Sequence, residues 1–173
     1  MNFLDPITAV QNLGVQQGMN VADFGSGAGH FVLALATEVG RQGRVYAVDV
    51  RRDMLEIIEG HIRMNGIFQV VAVCADLEQE NGSTLEPGSL DYVLCSNILH
   101  QVQRPENVIQ EVSRVLKKDG KMVILEWEAG SFLSPKTLFT KERAEKLSKK
   151  HHFQNCSTIE AGDHHYGLVC SRT

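Results

Sequence analysis

Short apolar runs alternate along the middle of the chain with segments in which apolar residues return every third or fourth position. Two interleaved periods between about residues 20 and 150 predict parallel strands joined by helical crossovers. The runs at 20–24, 44–49, 68–75, 90–95 and 121–127 read as strands, the third of them rich in β-branched Val70, Val71 and Val73. Phe31, Leu33, Leu35 and Val39 mark a helix that stops at Gly40 and Gly43, and Leu55, Ile58 and Ile62 mark a second over 52–65. Val108, Ile109, Val112 and Val115 mark a third over 106–116, begun after Pro105, and a fourth helix occupies 140–150. Residues 76–89 hold Gly82, Pro87 and Gly88 without clear periodicity, which predicts a loop or at most a short helix. The pattern then changes: 153–160 and 165–171 read as strands joined by only Ala161-Gly162-Asp163-His164, so they must form an antiparallel hairpin. The first 18 residues read as a helical segment preceding one uninterrupted domain, 19–173.

Composition narrows this little. At 173 residues the chain is long enough for one domain with a real core, and 43% hydrophobic against 22% charged is ordinary for a globular protein. A net charge of −4 gives no overall pull toward nucleic acid or anionic lipid. A local cluster of Lys141, Arg143, Lys146, Lys149, Lys150, His151 and His152 reads as a solvated helix face, with an RNA or acidic-partner surface as the sharper alternative. The opening run Met1-Asn2-Phe3-Leu4-Asp5-Pro6 lacks the basic start of a secretory signal, and no apolar run approaches the ~20 residues of a membrane span. Cys74, Cys95, Cys156 and Cys170 show no metal-ligand spacing. The expectation is therefore a cytoplasmic protein with no metal and no disulfide framework, although Cys156 and Cys170 fall in paired strands where a bond is geometrically open.

Chemistry enters at Val21-Ala22-Asp23-Phe24-Gly25-Ser26-Gly27-Ala28-Gly29-His30, where a strand runs into a glycine turn and out into a helix. Such a turn brings a ligand to the backbone and offers the free N–H groups of a helix start. Asp49 ends the next strand, where a carboxylate accepts from ribose hydroxyls, or else simply starts the following helix. The spacing is G-x-G-x-G rather than the dinucleotide G-x-G-x-x-G, and Asp23 precedes the first glycine by two places. A carboxylate there repels a diphosphate and attracts a ligand carrying ammonium and sulfonium charges. Asp76, after the third strand, is placed to meet the exocyclic amine of adenine with Leu77 against the ring, or to start a turn.

These motifs, with Leu90-Asp91-Tyr92-Val93-Leu94-Cys95-Ser96-Asn97-Ile98-Leu99-His100 and Arg114-Val115-Leu116-Lys117-Lys118-Asp119-Gly120-Lys121, resemble the successive motifs of class I S-adenosylmethionine-dependent methyltransferases. The closest flavour is that of the ubiquinone/menaquinone-biosynthesis-like and small-molecule enzymes. The resemblance implies an α/β, Rossmann-like, doubly wound seven-stranded sheet, mostly parallel with an antiparallel C-terminal hairpin. It implies that Asp23, Gly25, Ser26, Gly27 and Gly29 surround the methionine and ribose of S-adenosylmethionine, that Asp49 holds the ribose hydroxyls, and that Val50 flanks adenine. Asp76 and Leu77 would meet the adenine edge and face, Ser96 and Asn97 would lie near the methionyl group and the transferring methyl, and Phe3 and Leu4 would fold over the cofactor. There is no Asn/Asp-Pro-Pro-Tyr run after the fourth strand and no arsenic-methylating cysteine set, so those branches do not fit.

Methyl transfer from a sulfonium is an in-line displacement that asks the protein mainly to align reactants and exclude water. Where the acceptor must lose a proton, His100 is the candidate base, with an ordinary surface histidine as the plain alternative. Glu126, Trp127 and Glu128 close the fifth strand where an acceptor approaches, and Trp127 is also a core candidate. His164, His165 and Tyr166 alternate faces of a strand and so do not form a metal pair. The expected activity is methylation of a small-molecule acceptor. RNA or protein methylation, a nicotinamide-dependent oxidoreductase and a non-catalytic cofactor-binding module remain as competitors.

Overall fold

The structure, a computed structural model, describes residues 4–173. Helix α1 spans Pro6–Asn12, with Pro6 opening the helix and the Asp5 carboxylate accepting from the Thr8 N–H at 2.9 Å, an N-cap of the usual kind. Then follow β1 (Asn20–Phe24), α2 (His30–Val39), β2 (Arg44–Asp49), α3 (Arg52–Met64) and β3 (Val70–Cys74). The chain continues through β4 (Leu90–Ser96), α4 (Pro105–Val115), β5 (Leu116–Trp127), α5 (Lys141–Lys150), β6 (Phe153–Ile159) and β7 (His165–Arg172).

One seven-stranded sheet has the order β3-β2-β1-β4-β5-β7-β6, with β7 antiparallel to both neighbours. The alternation of side chains along each strand sorts the core into two layers. Val21, Val45, Leu94 and Val123 pack with α1, α2 and α3 on one face, and Phe24, Val93, Met122 and Ile124 pack with α4 and α5 on the other. Burial of both faces explains why the central strands read as continuous apolar runs. The 76–89 crossover consists of turns, as its glycines and proline predicted. Strand β5 begins earlier than the apolar run suggests: Leu116 pairs with Leu90, the register shifts, and pairing resumes at Lys121 with Tyr92. Asp119 takes a positive φ of 63° in that irregular stretch, and Lys117 pairs with Asp91 at 2.7 Å.

The cysteine expectation needs correction. Cys156 and Cys170 form a disulfide across the β6–β7 hairpin. The pairing register shifts between Gln154 and Ser157, and Asn155 turns to a positive φ of 52°, a bulge that sets Cys156 opposite Cys170. Cys74 and Cys95 are free. Among the described residues no helix is long and apolar enough to cross a membrane, and no group of three His, Cys, Asp or Glu is placed to hold a metal ion.

Candidate functional site

Strand order reverses between β1 and β4, the place where open α/β sheets leave a crevice beyond their carboxyl ends. A cleft of about 360 Å³ lies there. Gly25 and Gly27 from the turn, Asp49 and Val50 from the end of β2, Asp76 and Leu77 after β3, and Asn97 after β4 all line it. Seven of the residues named from sequence thus converge on one cavity although the chain spreads them over four strand ends.

The turn is held by backbone and by Asp49 together. The N–H groups of Gly25 and Ser26 donate to the Val48 carbonyl at 2.8 and 3.1 Å, tying the end of β1 to β2. Asp49 accepts from the Gly27 N–H with one oxygen and from the Arg51 N–H with the other, each at 2.8 Å. Each carboxylate oxygen keeps a lone pair, so Asp49 is fixed in position and still able to accept from a ligand. Gly25 is required by space: at φ 77°, a Cβ would stand 2.7 Å from the Ile98 Cδ1 of the loop after β4. Gly29 is required in the same way, its Cβ falling 2.7 Å from Ile58 Cγ1 on α3.

Asp23, Ser26, Gly29 and Ser96 do not line the cleft. Asp23 is 2% exposed, and one of its carboxylate oxygens is buried without a hydrogen-bond partner, as is the Ser26 hydroxyl. Burial, and then the neighbouring Asp49, push the Asp23 carboxyl up to about 7. Gly29 caps α2 with a φ of 90° and leaves the helix start without a side-chain cap. Asp76 makes the turn that its position allowed, accepting from the Glu78 N–H at 2.9 Å and from the Gln79 amide at 3.0 Å, and these bonds, the Gln79 bond first, hold its pKa down. Phe3 lies outside the described residues. Leu4 packs near α1 against the core and not over the cleft.

Beyond β4 fewer residues were legible beforehand. His100 does not line the cleft, and its imidazole Nδ1 stands 2.7 Å from a Glu126 oxygen. Glu126 is fully buried at the end of β5, against the expectation that it faces an acceptor pocket, and its other oxygen accepts from the Leu99 N–H at 2.6 Å. Burial raises the Glu126 carboxyl against the opposing pull of His100. Trp127 is half-buried with its ring 4.3 Å from that of His165, and His165 Nε2 is 3.1 Å from Asn97 Oδ1. Arg51, Met54, Ala75, Glu78, Ile98, Gln101 and Val102 complete the cleft and were not named from sequence as site residues. Each lies within a few places of a residue that was, and proximity to Asp49, Asp76 or Asn97 was the available signal.

A protein-family model described as a methyltransferase domain matches residues 15–161, most of the chain. The chain belongs to the class I S-adenosylmethionine-dependent methyltransferase family. It is 30% identical over 132 residues to a demethylmenaquinone methyltransferase of Anoxybacillus flavithermus, covering 75% of this chain and 54% of that protein. It is 28% identical over 119 residues to the ubiquinone/menaquinone biosynthesis C-methyltransferase UbiE of Hydrogenovibrio crunogenus, covering 69% and 46%. The chain therefore spans about half the length of these curated relatives. Its fold is similar to the crystal structure of a SAM-dependent methyltransferase from Aquifex aeolicus, with TM-score 0.88 and 22% identity over 99% of this chain and 91% of that one.

Proposed function

We propose that this domain binds S-adenosylmethionine in the cleft at the β1/β4 switch point and methylates a small molecule there. The observation that carries the reading is the convergence of the glycine turn, Asp49 and Asp76 on one cavity, with Asp23 buried close enough to feel the charge of Asp49. The residues fit such a cofactor. Asp49 retains lone pairs for the ribose hydroxyls, Asp76 and Leu77 stand together for the adenine, and the orphaned oxygens of Asp23 and Ser26 match the polar end of the methionyl group. Bound there, the cofactor supplies a methyl group already activated on a sulfonium.

The remaining chemistry falls to His100 and Glu126. Glu126 fixes the loop after β4 through the Leu99 N–H and holds the His100 ring through Nδ1, leaving Nε2 to take a proton. A buried carboxylate that orients an imidazole and stabilises its protonated form is the arrangement of many general bases. One relative is named a demethylmenaquinone methyltransferase and another a ubiquinone/menaquinone biosynthesis C-methyltransferase, which supports a phenolic or hydroquinone-type acceptor whose hydroxyl gives up its proton before a ring carbon attacks.

The test is incubation with isotopically labelled S-adenosylmethionine and 1,4-dihydroxynaphthalene under anaerobic conditions. The reading predicts label on a ring carbon. Cofactor binding with no labelled product across a panel of phenols and hydroquinones would contradict it.

A further inference from the structure

The charged side chains around the cleft are mostly acceptors: Asp49, Asp76 and Glu78 all present carboxylates. Arg51, the one cation among them, is turned to Asp53 at 2.6 Å. Gln101 directs its amide N–H to the Asn97 carbonyl. At the β4 end of the cleft stands the amide of Asn97, an uncharged side chain that offers a donor from one end and an acceptor from the other.

Which end of that amide faces the cleft is decided from the far side of the sheet. Strand β7 runs against its neighbours, so its first residue, His165, stands at the carboxyl edge of the sheet, in register with Trp127. His165 Nε2 lies 3.1 Å from Asn97 Oδ1, while His165 Nδ1 is buried with no partner. Two arrangements satisfy the short contact. Were Asn97 the donor, Nε2 would accept and Nδ1 would carry a proton, leaving a buried N–H donor with nothing to bond. With Nε2–H as donor to Oδ1, only a lone pair on Nδ1 goes unused, the smaller cost. Burial, with His164 and His100 adding to it, lowers the His165 pKa, so the ring keeps a single proton near neutral pH.

We infer that His165 is a positioning residue that fixes the Asn97 side chain with its N–H₂ toward the cleft, making Asn97 the recognition element for an anionic oxygen of the bound ligand. The backbone agrees: Asn97 has a φ of 53°, in the left-handed region that asparagine tolerates, and its N–H donates to the Leu125 carbonyl at 2.8 Å. An anionic oxygen could come from the cofactor's carboxylate or from a phenolate acceptor. The inference rests on the cofactor reading above.

Calorimetric titration of wild type, Asn97→Asp, His165→Phe and His165→Gln separates these cases. The ligands are S-adenosylhomocysteine, 5′-methylthioadenosine (which lacks the amino-acid part) and, on product-loaded protein, 1,4-dihydroxynaphthalene. Aspartate accommodates the same backbone but offers the cleft an acceptor. At least tenfold weaker S-adenosylhomocysteine binding by Asn97→Asp, with 5′-methylthioadenosine unaffected, supports the inference with the carboxylate as the ligand. Weakening confined to the naphthalenediol supports it with the acceptor oxygen. Indifference to all three ligands overturns it. His165→Phe should move the same affinity several-fold and His165→Gln, which restores a donor, should recover it; an unaltered His165→Phe overturns the positioning role. Nitrogen-15 spectra of the wild-type imidazole should show the proton on Nε2, and finding it on Nδ1 overturns the inference without any variant. Failure of wild type to bind either adenosyl ligand instead refutes the cofactor reading itself.

Discussion

At the ends of β1, β2 and β3 the cleft is built from backbone groups and carboxylates, whereas beyond β4 the chain is tied to β5 and β7 by side-chain pairs. Gly25, Gly27 and Asp49 are joined by backbone bonds and one carboxylate within 24 residues, and Asp76 makes its turn with Glu78 and Gln79. Across the switch point, His100 meets Glu126 over 26 residues, and Asn97 meets His165 over 68. The first half presents carboxylates and glycine backbone, suited to a ligand of fixed structure. The second presents two histidine pairs and a tryptophan, suited to moving a proton and holding a variable partner. The division teaches that turns at the strand ends present backbone and carboxylates by themselves, while the side-chain pairs beyond β4 exist only once the sheet is assembled.

That division can be broken experimentally from either side. The largest effect is expected from the far half. His100→Ala should lower turnover of a hydroxylated acceptor by roughly 10²–10⁴-fold while leaving S-adenosylhomocysteine affinity within a factor of a few. Steady-state rates beside calorimetry check this, and parallel loss of both would place His100 in the cofactor half. Asp49→Ala should weaken S-adenosylhomocysteine by roughly 10- to 100-fold, the loss of one charged hydrogen bond's contribution of about 1.5–3 kcal/mol.

Asp23 links stability to binding through pH. Its carboxyl holds a proton more tightly folded than unfolded, since burial and Asp49 raise it to about 7. Its contribution to stability is therefore complete below the unfolded value of about 4 and is lost as pH climbs to 7, on the order of 4 kcal/mol in all. Ammonium-bearing S-adenosylhomocysteine should bind about tenfold more weakly per unit below pH 7, with 5′-methylthioadenosine nearly indifferent. Asp23→Asn should remove that slope and raise the stability of the unliganded protein at pH 8, which urea melts at several pH values would detect. The smallest effect on the cleft is expected from the hairpin. Replacing Cys156 and Cys170 by serine should cost up to about 3 kcal/mol in stability and leave S-adenosylhomocysteine affinity unchanged.

Legibility followed the same line. The parallel strands, their crossovers and the reversed hairpin were readable because both faces of the sheet are buried and each helix carries its stripe of Val, Leu and Ile. The glycine turn, Asp49 and Asp76 were readable because strand ends in such a sheet share one edge. Glu126 was misplaced because position at a strand end does not reveal which way an odd or even residue turns, and here it turns inward to His100. His165 was weighed only as a metal ligand, since nothing in the sequence ties it to Asn97, 68 residues away in the loop after β4. The disulfide depended on a bulge at Asn155 that composition does not announce.

Calorimetric titration of wild type and Asp49→Ala with S-adenosylmethionine, S-adenosylhomocysteine and NADH tests the central claim most directly. Micromolar binding of both adenosyl ligands, weakened at least tenfold in the variant, and no binding of NADH are expected. Binding of NADH alone would contradict the methyl-transfer reading and return the cleft to dinucleotide chemistry.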